Sequence, residues 1–188
     1  MSAGAIKKAK QMAMQMQGKY EIQRLWCTIL QGDELVSHIQ NSIIQTLPDI
    51  HFMIKDILKT DCYTTKEKIA LCQKLIGVYA LFDEGRDWPL GMVFSYQFYL
   101  QIAVLSMELH DEASCLTALD KAADLAIRID SLPTEGYPSS LLLNRIDFRY
   151  LSGTASDRAF LREAMEAEAV FESLRKTAAY ETIIAKLT

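Results

Sequence analysis

Breakers are scarce in this chain: its 188 residues include four prolines and eight glycines, too few to interrupt many long helices. No unbroken apolar run approaches the roughly 18 to 20 residues a membrane span needs. The N-terminus lacks the apolar centre of a signal peptide, because Lys7, Lys8 and Lys10 are followed by Gln11, Gln15 and Gln17. Cys27, Cys62, Cys72 and Cys115 form no CxxC pair, so buried reduced thiols are expected rather than disulfides or a metal site. His38, His51 and His110 stand apart from one another and from cysteine. No glycine-rich phosphate loop and no Ser/His/Asp or Cys/His spacing occurs. These absences lead us to expect a cytoplasmic, non-catalytic protein with no metal and no cofactor.

What is present is helix-forming. Half of the residues are hydrophobic and 23% are charged, the balance of a globular domain. Ala, Leu, Gln, Lys and Glu dominate several segments. The formal charge of −4 is uneven: residues 1–24 carry five basic side chains against Glu21 alone, a local +4, which leaves −8 on the remainder. Such an acidic body repels phosphate and should not bind DNA by itself. The basic start reads either as a solvated helix face or as a segment docked near nucleic acid by another domain.

Along the chain, residues 5–17 read as a short helix with Ile6, Ala9, Met12, Ala13 and Met16 on one stripe. A second covers about 20–30. Asp33 is the expected N-cap of a long helix toward Lys59, which Pro48 should kink or divide. Thr64 and Glu67 form a capping-box pattern ahead of a helix ending near Asp83-Glu84-Gly85. Trp88-Pro89 opens the next helix, and further helices are expected over 137–151, 156–174 and 177–187. About nine helices with short links predict an all-α fold, read as one domain over 1–188. The acidic run Glu163, Glu166, Glu168 and Glu172 fits a solvated helix face better than a pair of catalytic carboxylates.

Residues 96–129 have the layout of one tetratricopeptide-type repeat, a helix–turn–helix unit of roughly 34 residues. Tyr99, Ile102 and Ala103 take the aromatic, aliphatic and small places of its first helix. His110-Asp111 makes the turn, and Cys115, Leu119 and Ala122 follow on the second helix. Ser106 departs from the pattern, and Ile127 stands where a proline usually stops the second helix. In this register Gln97, Leu100, Val104, Met107 and Glu108 point away from the partner helix and would line a concave groove suited to a peptide or a small amphipathic ligand. Trp88, Phe94, Tyr96, Phe98 and Tyr99 are the aromatic group of the same region, with packing the default for Phe94, Phe98 and Tyr99.

Three further segments carry a family resemblance: Ile29-Leu30-Gln31-Gly32-Asp33-Glu34-Leu35-Val36 with Gln40 and Ile43; Tyr63-Thr64-Thr65-Lys66-Glu67-Lys68-Ile69; and Asp111 through Leu119-Asp120-Lys121-Ala122-Ala123-Asp124 to Asp130-Ser131-Leu132-Pro133, then Tyr137 and Ser140-Leu141-Leu142-Leu143-Asn144-Arg145-Ile146-Asp147-Phe148. In their order and spacing they resemble the C-terminal, tetratricopeptide-like half of bacterial helix-turn-helix regulators of the xenobiotic-response-element (XRE) type. The resemblance spans about residues 5–150.

It implies a regulatory and self-associating domain, expected as a homodimer, that senses a peptide, a small ligand or a protein partner. DNA would be reached only through a helix-turn-helix domain that this sequence does not contain, and no membrane contact is implied. The chain then reads as a piece of a longer regulator, or else as a stand-alone product that titrates full-length partners. Asn144 and Arg145 are candidate polar anchors, Arg for a carboxylate and Asn as donor and acceptor, with a helix-to-helix packing pair as the other reading. The competing class is a general protein–protein adaptor unrelated to transcription.

Overall fold

A computed structural model describes residues 19–147 and 156–188, together with 4, 7, 8 and 11. Among the described residues there are seven α-helices and no strand: α1 (Lys19–Ile29), α2 (Gly32–Leu58), α3 (Thr65–Phe82), α4 (Pro89–Glu108), α5 (Glu112–Ser131), α6 (Asp157–Ala167) and α7 (Ala178–Lys186), with a 3₁₀ turn at Ala169–Phe171. The all-α expectation holds at this level. The expected helix over 5–17 falls almost wholly outside the described residues.

Two compact units divide the chain, residues 1–49 and 50–188. In the first, the Gln23 amide oxygen on α1 accepts from the Ser42 hydroxyl at 3.0 Å and meets His38 Nε2 at 3.1 Å, both on α2. Trp26 packs against the His38 ring with centroids 5.6 Å apart. Asp33 is not the N-cap: it lies with Glu34 inside the first turn, where a carboxylate still complements the helix dipole. Pro48 sits inside α2 without dividing it. Its missing N–H removes one ladder bond, and the unit boundary falls immediately after it.

In the second unit α4 is the central element, packed against α3 and, most extensively, α5. Its buried residues, among them Met92, Phe94, Phe98, Ile102 and Leu105, face in several directions, as expected of a helix covered on more than one side. The sequence contains no unbroken apolar run of spanning length, yet α4 is long and apolar enough to cross a membrane by length and composition, with 56% of its apolar window buried inside the protein. The core helix of a globular unit meets the same description. Close approach of α5 to α4 is possible because α5 presents Cys115, Ala118, Ala122 and Ala126, all essentially inaccessible. Small side chains there let Leu119 and the α4 aromatics fill the layer at interior density.

Local chemistry explains the helix ends. The Thr64 hydroxyl accepts from Glu67 N–H while the Glu67 carboxylate accepts from Thr64 N–H, a complete capping box. α4 begins with Pro89 in its first turn, where no intrahelical donor is needed. It ends with His110 at φ 56°, His110 N–H bonding to Met107 C=O and Asp111 N–H to Ser106 C=O. That is a Schellman closure, with histidine in the left-handed place glycine usually takes.

Two expected helices differ. Residues 137–147 form turns, not a helix. Leu143 N–H bonds to Ser140 C=O and Ile146 N–H to Leu143 C=O, three-residue closures, and the Ser140 hydroxyl accepts from Leu142 N–H. Pro138 and the Ser139-Ser140 pair favour such local bonding over a helical ladder. The remainder of the expected 137–151 helix lies outside the described residues. The expected 156–174 helix stops at Ala167 and continues as 3₁₀ and turn. There the Arg175 guanidinium donates to Glu166 C=O at 2.5 Å and to Glu168 C=O at 3.3 Å, covering carbonyls that the break leaves without helical partners. The break also puts both Phe171 and Leu174 in the core.

Candidate functional site

The α4 helix has a hollow on each of two sides, and the sequence decides which side chains reach each. The first lies among the C-terminal part of α2, α4 and α6. It encloses about 290 Å³ and is lined by Lys55, Gln97, Leu100, Gln101, Val104 and Phe160, among others. On α4 the residues 97, 100, 101 and 104 recur at helical spacing on one face. Phe160 is 56% exposed at the rim. The result is a groove of mixed polarity.

Gln97 anchors its base. The His51 ring nitrogens face Gln97 Oε1 at 3.1 Å and Tyr79 OH at 3.3 Å, and Lys55 Nζ lies 3.5 Å from the same Gln97 oxygen. An amide oxygen only accepts, so the ring carries its proton on Nε2 and takes the tyrosine hydroxyl at Nδ1. His51 is inaccessible and sits against Phe94 at 4.3 Å and Phe98 at 4.8 Å. Burial first, then the nearby Lys55 charge, outweigh the Gln97 hydrogen bond and hold the imidazole down to about 4. Burial also pushes the Tyr79 phenol up to about 12, so it remains a donor. At the far side, Tyr96 OH donates to Asp157 at 3.0 Å. Burial and then the Asp157 charge raise the phenol further. This cluster is a packed network of hydrogen bonds and ring contacts.

The second hollow is the cleft between α3 and α5, floored by α4. It consists of cavities of about 680 and 520 Å³ that share Ile76, Tyr99 and Lys121. The larger carries Asp83, Arg86, Lys121, Asp124 and Arg128 on an apolar floor that includes Met92 and Leu125. Asp83 Oδ1 accepts the N–H groups of Asp87 at 2.8 Å and Trp88 at 2.9 Å. Burial outweighs those bonds and pushes its carboxyl up to about 6. Arg128 Nε donates to the Arg86 carbonyl at 3.2 Å, and Lys121 Nζ lies 5.6 Å from the centre of the Tyr99 ring.

Of the residues expected to line a groove, Gln97, Leu100 and Val104 come together in the first hollow. Met107 and Glu108, about one turn beyond Val104 toward the end of α4, line neither hollow. Met107 is half-buried, and Glu108 is exposed and accepts from the Thr65 hydroxyl at 3.3 Å. Asn144 and Arg145 lie in the turn segment, where Arg145 donates to the Asn144 amide oxygen at 3.0 Å, and neither is among the residues that line the two hollows described above. Over residues 141–147 the expected helix is replaced by turns. The aromatic group divides: Trp88, Phe94, Tyr96 and Phe98 are buried, whereas Tyr99 reaches the cleft.

The cysteines also divide. Cys72 and Cys115 are buried, with thiols that burial pushes up to about 12, while Cys27 and Cys62 are exposed, contrary to expectation. Cys27 lies on α1 and Cys62 in the turn before the Thr64 cap. The four glutamates 163, 166, 168 and 172 are exposed. Among the described residues no three His, Cys, Asp or Glu side chains converge as metal ligands would.

The cleft cations were not singled out in the sequence, although Lys121 and Arg128 stand seven residues apart and so share one helical face. Arg86 has no such signal, because a loop at φ 51° delivers it. The fold and its two hollows define an all-α protein with a mixed groove and a cleft whose lining carries three cationic side chains, Arg86, Lys121 and Arg128, and three acidic ones, Asp83, Asp111 and Asp124. No family model, no curated protein and no solved structure matches this chain.

Proposed function

We propose that the chain is a non-catalytic recognition domain, the regulatory and self-associating half of a transcriptional regulator, built as a tetratricopeptide-like stack. Its groove among α2, α4 and α6 takes an extended peptide or the tail of a protein partner. The observation that carries this reading is that alternate helices contribute to one groove in which Gln97, Gln101 and Lys55 lie beside Leu100, Val104 and Phe160. In a stack of helix pairs the first helix of each pair faces the concave side, and α2, α4 and α6 alternate in that way with α3 and α5. Backbone amides of a peptide would find Gln97 and Gln101, and its side chains would find the apolar positions. The resemblance to XRE-type regulators supplies the link to transcription. Binding would favour one arrangement of the helix pairs and so reposition attached DNA-binding domains.

The test is selection of a random-peptide display library on the intact chain, followed by the variants Leu100→Ser and Phe160→Ser, with far-ultraviolet circular dichroism to verify folding. An enriched peptide set that binds the wild type and loses at least ten-fold on either variant is expected. No enrichment, or unchanged binding by both folded variants, would refute the groove. Light scattering over a concentration series checks self-association: a dimer supports the regulator, and a strict monomer favours the adaptor.

A further inference from the structure

We propose that the cleft between α3 and α5 is a second binding site, on a different side of α4, for a small organic acid with one carboxylate on an apolar body. This inference stands independently of the peptide groove, since the two hollows share no residue.

Size sets the first constraint. A cavity of about 680 Å³ that opens into another of about 520 Å³ lies in the range of small-ligand sites, roughly 300 to 1,000 Å³ each. The two join at Ile76 and Tyr99, and the path continues along Ile102 and Leu109. An elongated body therefore has a continuous bed of mixed lining, in which Ile76, Tyr99, Ile102 and Leu109 stand beside Gln73, Ser106, Asp111, Ser114 and Thr117.

Charge sets the second. Arg86, Lys121 and Arg128 bring three cationic groups to the wider end, against two carboxylates, Asp83 and Asp124. Both carboxylates are already engaged. Asp83 Oδ1 holds two backbone N–H groups, and Asp124 accepts from Lys186 Nζ at 3.2 Å. Among the described residues, no carboxylate lies within 4 Å of the Arg86, Lys121 or Arg128 head groups. Asp83 also feels the Arg128 charge, yet none of the three cations forms an ion pair with a described carboxylate, which leaves room beside the apolar floor for an incoming anion. Arg offers a two-pronged donor set for a carboxylate, and Lys adds a point charge.

The number of charges on the ligand is bounded as well. A phosphate dianion is usually cradled by free N–H groups at a helix start. Here α4 starts at Pro89, which has no N–H, and the N–H groups of Asp87 and Trp88 are consumed by Asp83. The formal charge of −4 further disfavours polyanions. A monocarboxylate with an alkyl or aryl body is what remains.

Arg86 owes its place to a left-handed backbone (φ 51°), a conformation costly for a residue with a Cβ and one that clusters at ligand sites. Its carbonyl accepts from Arg128 Nε, which joins the loop to α5 at this end of the cleft, and both residues line the wider cavity.

The experiment is isothermal titration calorimetry on the full chain, with decanoate below its micellar concentration, and with decanol and decyltrimethylammonium as length-matched neutral and cationic probes. Saturable binding of one decanoate per chain is expected, with decanol at least ten-fold weaker and the cation silent. Lys121→Gln and Arg128→Gln should each weaken decanoate by roughly ten-fold, the scale of one charge-assisted hydrogen bond. Leu100→Ser should leave it unchanged, which separates this site from the peptide groove. Lys121 is exposed and makes no helix-capping bond, so its variant reports on the site even if Arg128→Gln unfolds. Absence of saturable heat, equal binding of the cationic probe, or unchanged affinity in Lys121→Gln would overturn the proposal.

Discussion

His51 makes the stability of this protein depend on pH in a way that can be worked out beforehand. Its imidazole is inaccessible, wedged between Phe94 and Phe98, and held near a pKa of about 4 against an ordinary 6.5. A histidine with a depressed folded pKa binds its proton more readily in the unfolded chain. Its contribution to stability is therefore complete above pH 6.5 and is lost as pH falls from 6.5 toward 4. The shift of about 2.5, from 6.5 down to about 4, corresponds to roughly 3 kcal/mol when fully expressed, at 1.36 kcal/mol per unit. Between pH 7.5 and 4.5 the expected loss from this group alone is about 2.5 kcal/mol. Carboxylates titrate over the same interval, so the measurement is a comparison. Urea unfolding followed by circular dichroism is recorded for the wild type and for His51→Gln, which keeps a hydrogen-bonding side chain but does not titrate. The wild type should lose about 2.5 kcal/mol more than the variant across that interval. Parallel curves, or an NMR titration of the His51 ring with its midpoint near 6.5, would refute the buried neutral imidazole.

Other perturbations separate packing from propensity. A Cβ added at Gly91 would lie 2.1 Å from a carbon of the buried Trp88 ring, whereas one added at Gly77 would meet nothing within 4 Å. Gly91→Ala should therefore destabilise by about 1 to 3 kcal/mol or more, and Gly77→Ala should stabilise by about 0.5 to 1 kcal/mol; thermal unfolding distinguishes them by the sign of the change in Tm. Asp130 joins the end of α5 to the start of α6 through the Ser156 hydroxyl, the N–H groups of Asp157 and Arg158, and Arg158 Nε at 3.0 Å. Burial pulls its carboxyl upward, but these bonds prevail and lower it. Its contribution is present above the ordinary carboxylate range and disappears as pH falls through the lowered value. Asp130→Asn should cost about 2 kcal/mol at neutral pH, read from urea midpoints, and less under acid conditions; an equal cost at pH 7 and pH 3 would contradict the ionised reading.

Local chemistry was readable from the sequence wherever a few adjacent residues settle the outcome. The Thr64–Glu67 capping box, the Pro89 start, the His110-Asp111 turn and the helical spacing that unites Gln97, Leu100 and Val104 all depend on neighbours within about one or two turns. Helicity itself followed from composition and period. Where several local solutions compete, the sequence alone was insufficient. Residues 137–147 have apolar periodicity enough for a helix but close into three-residue turns, and the 156–174 segment breaks so that Phe171 and Leu174 both enter the core while Arg175 covers the freed carbonyls. Tertiary packing decided those cases. It also made the His51–Gln97–Tyr79 network, whose members are 28 and 46 residues from His51, and it brought Arg86 beside Lys121 and Arg128 across a cleft. No spacing rule links residues so far apart, because their juxtaposition arises from how α3, α4 and α5 pack.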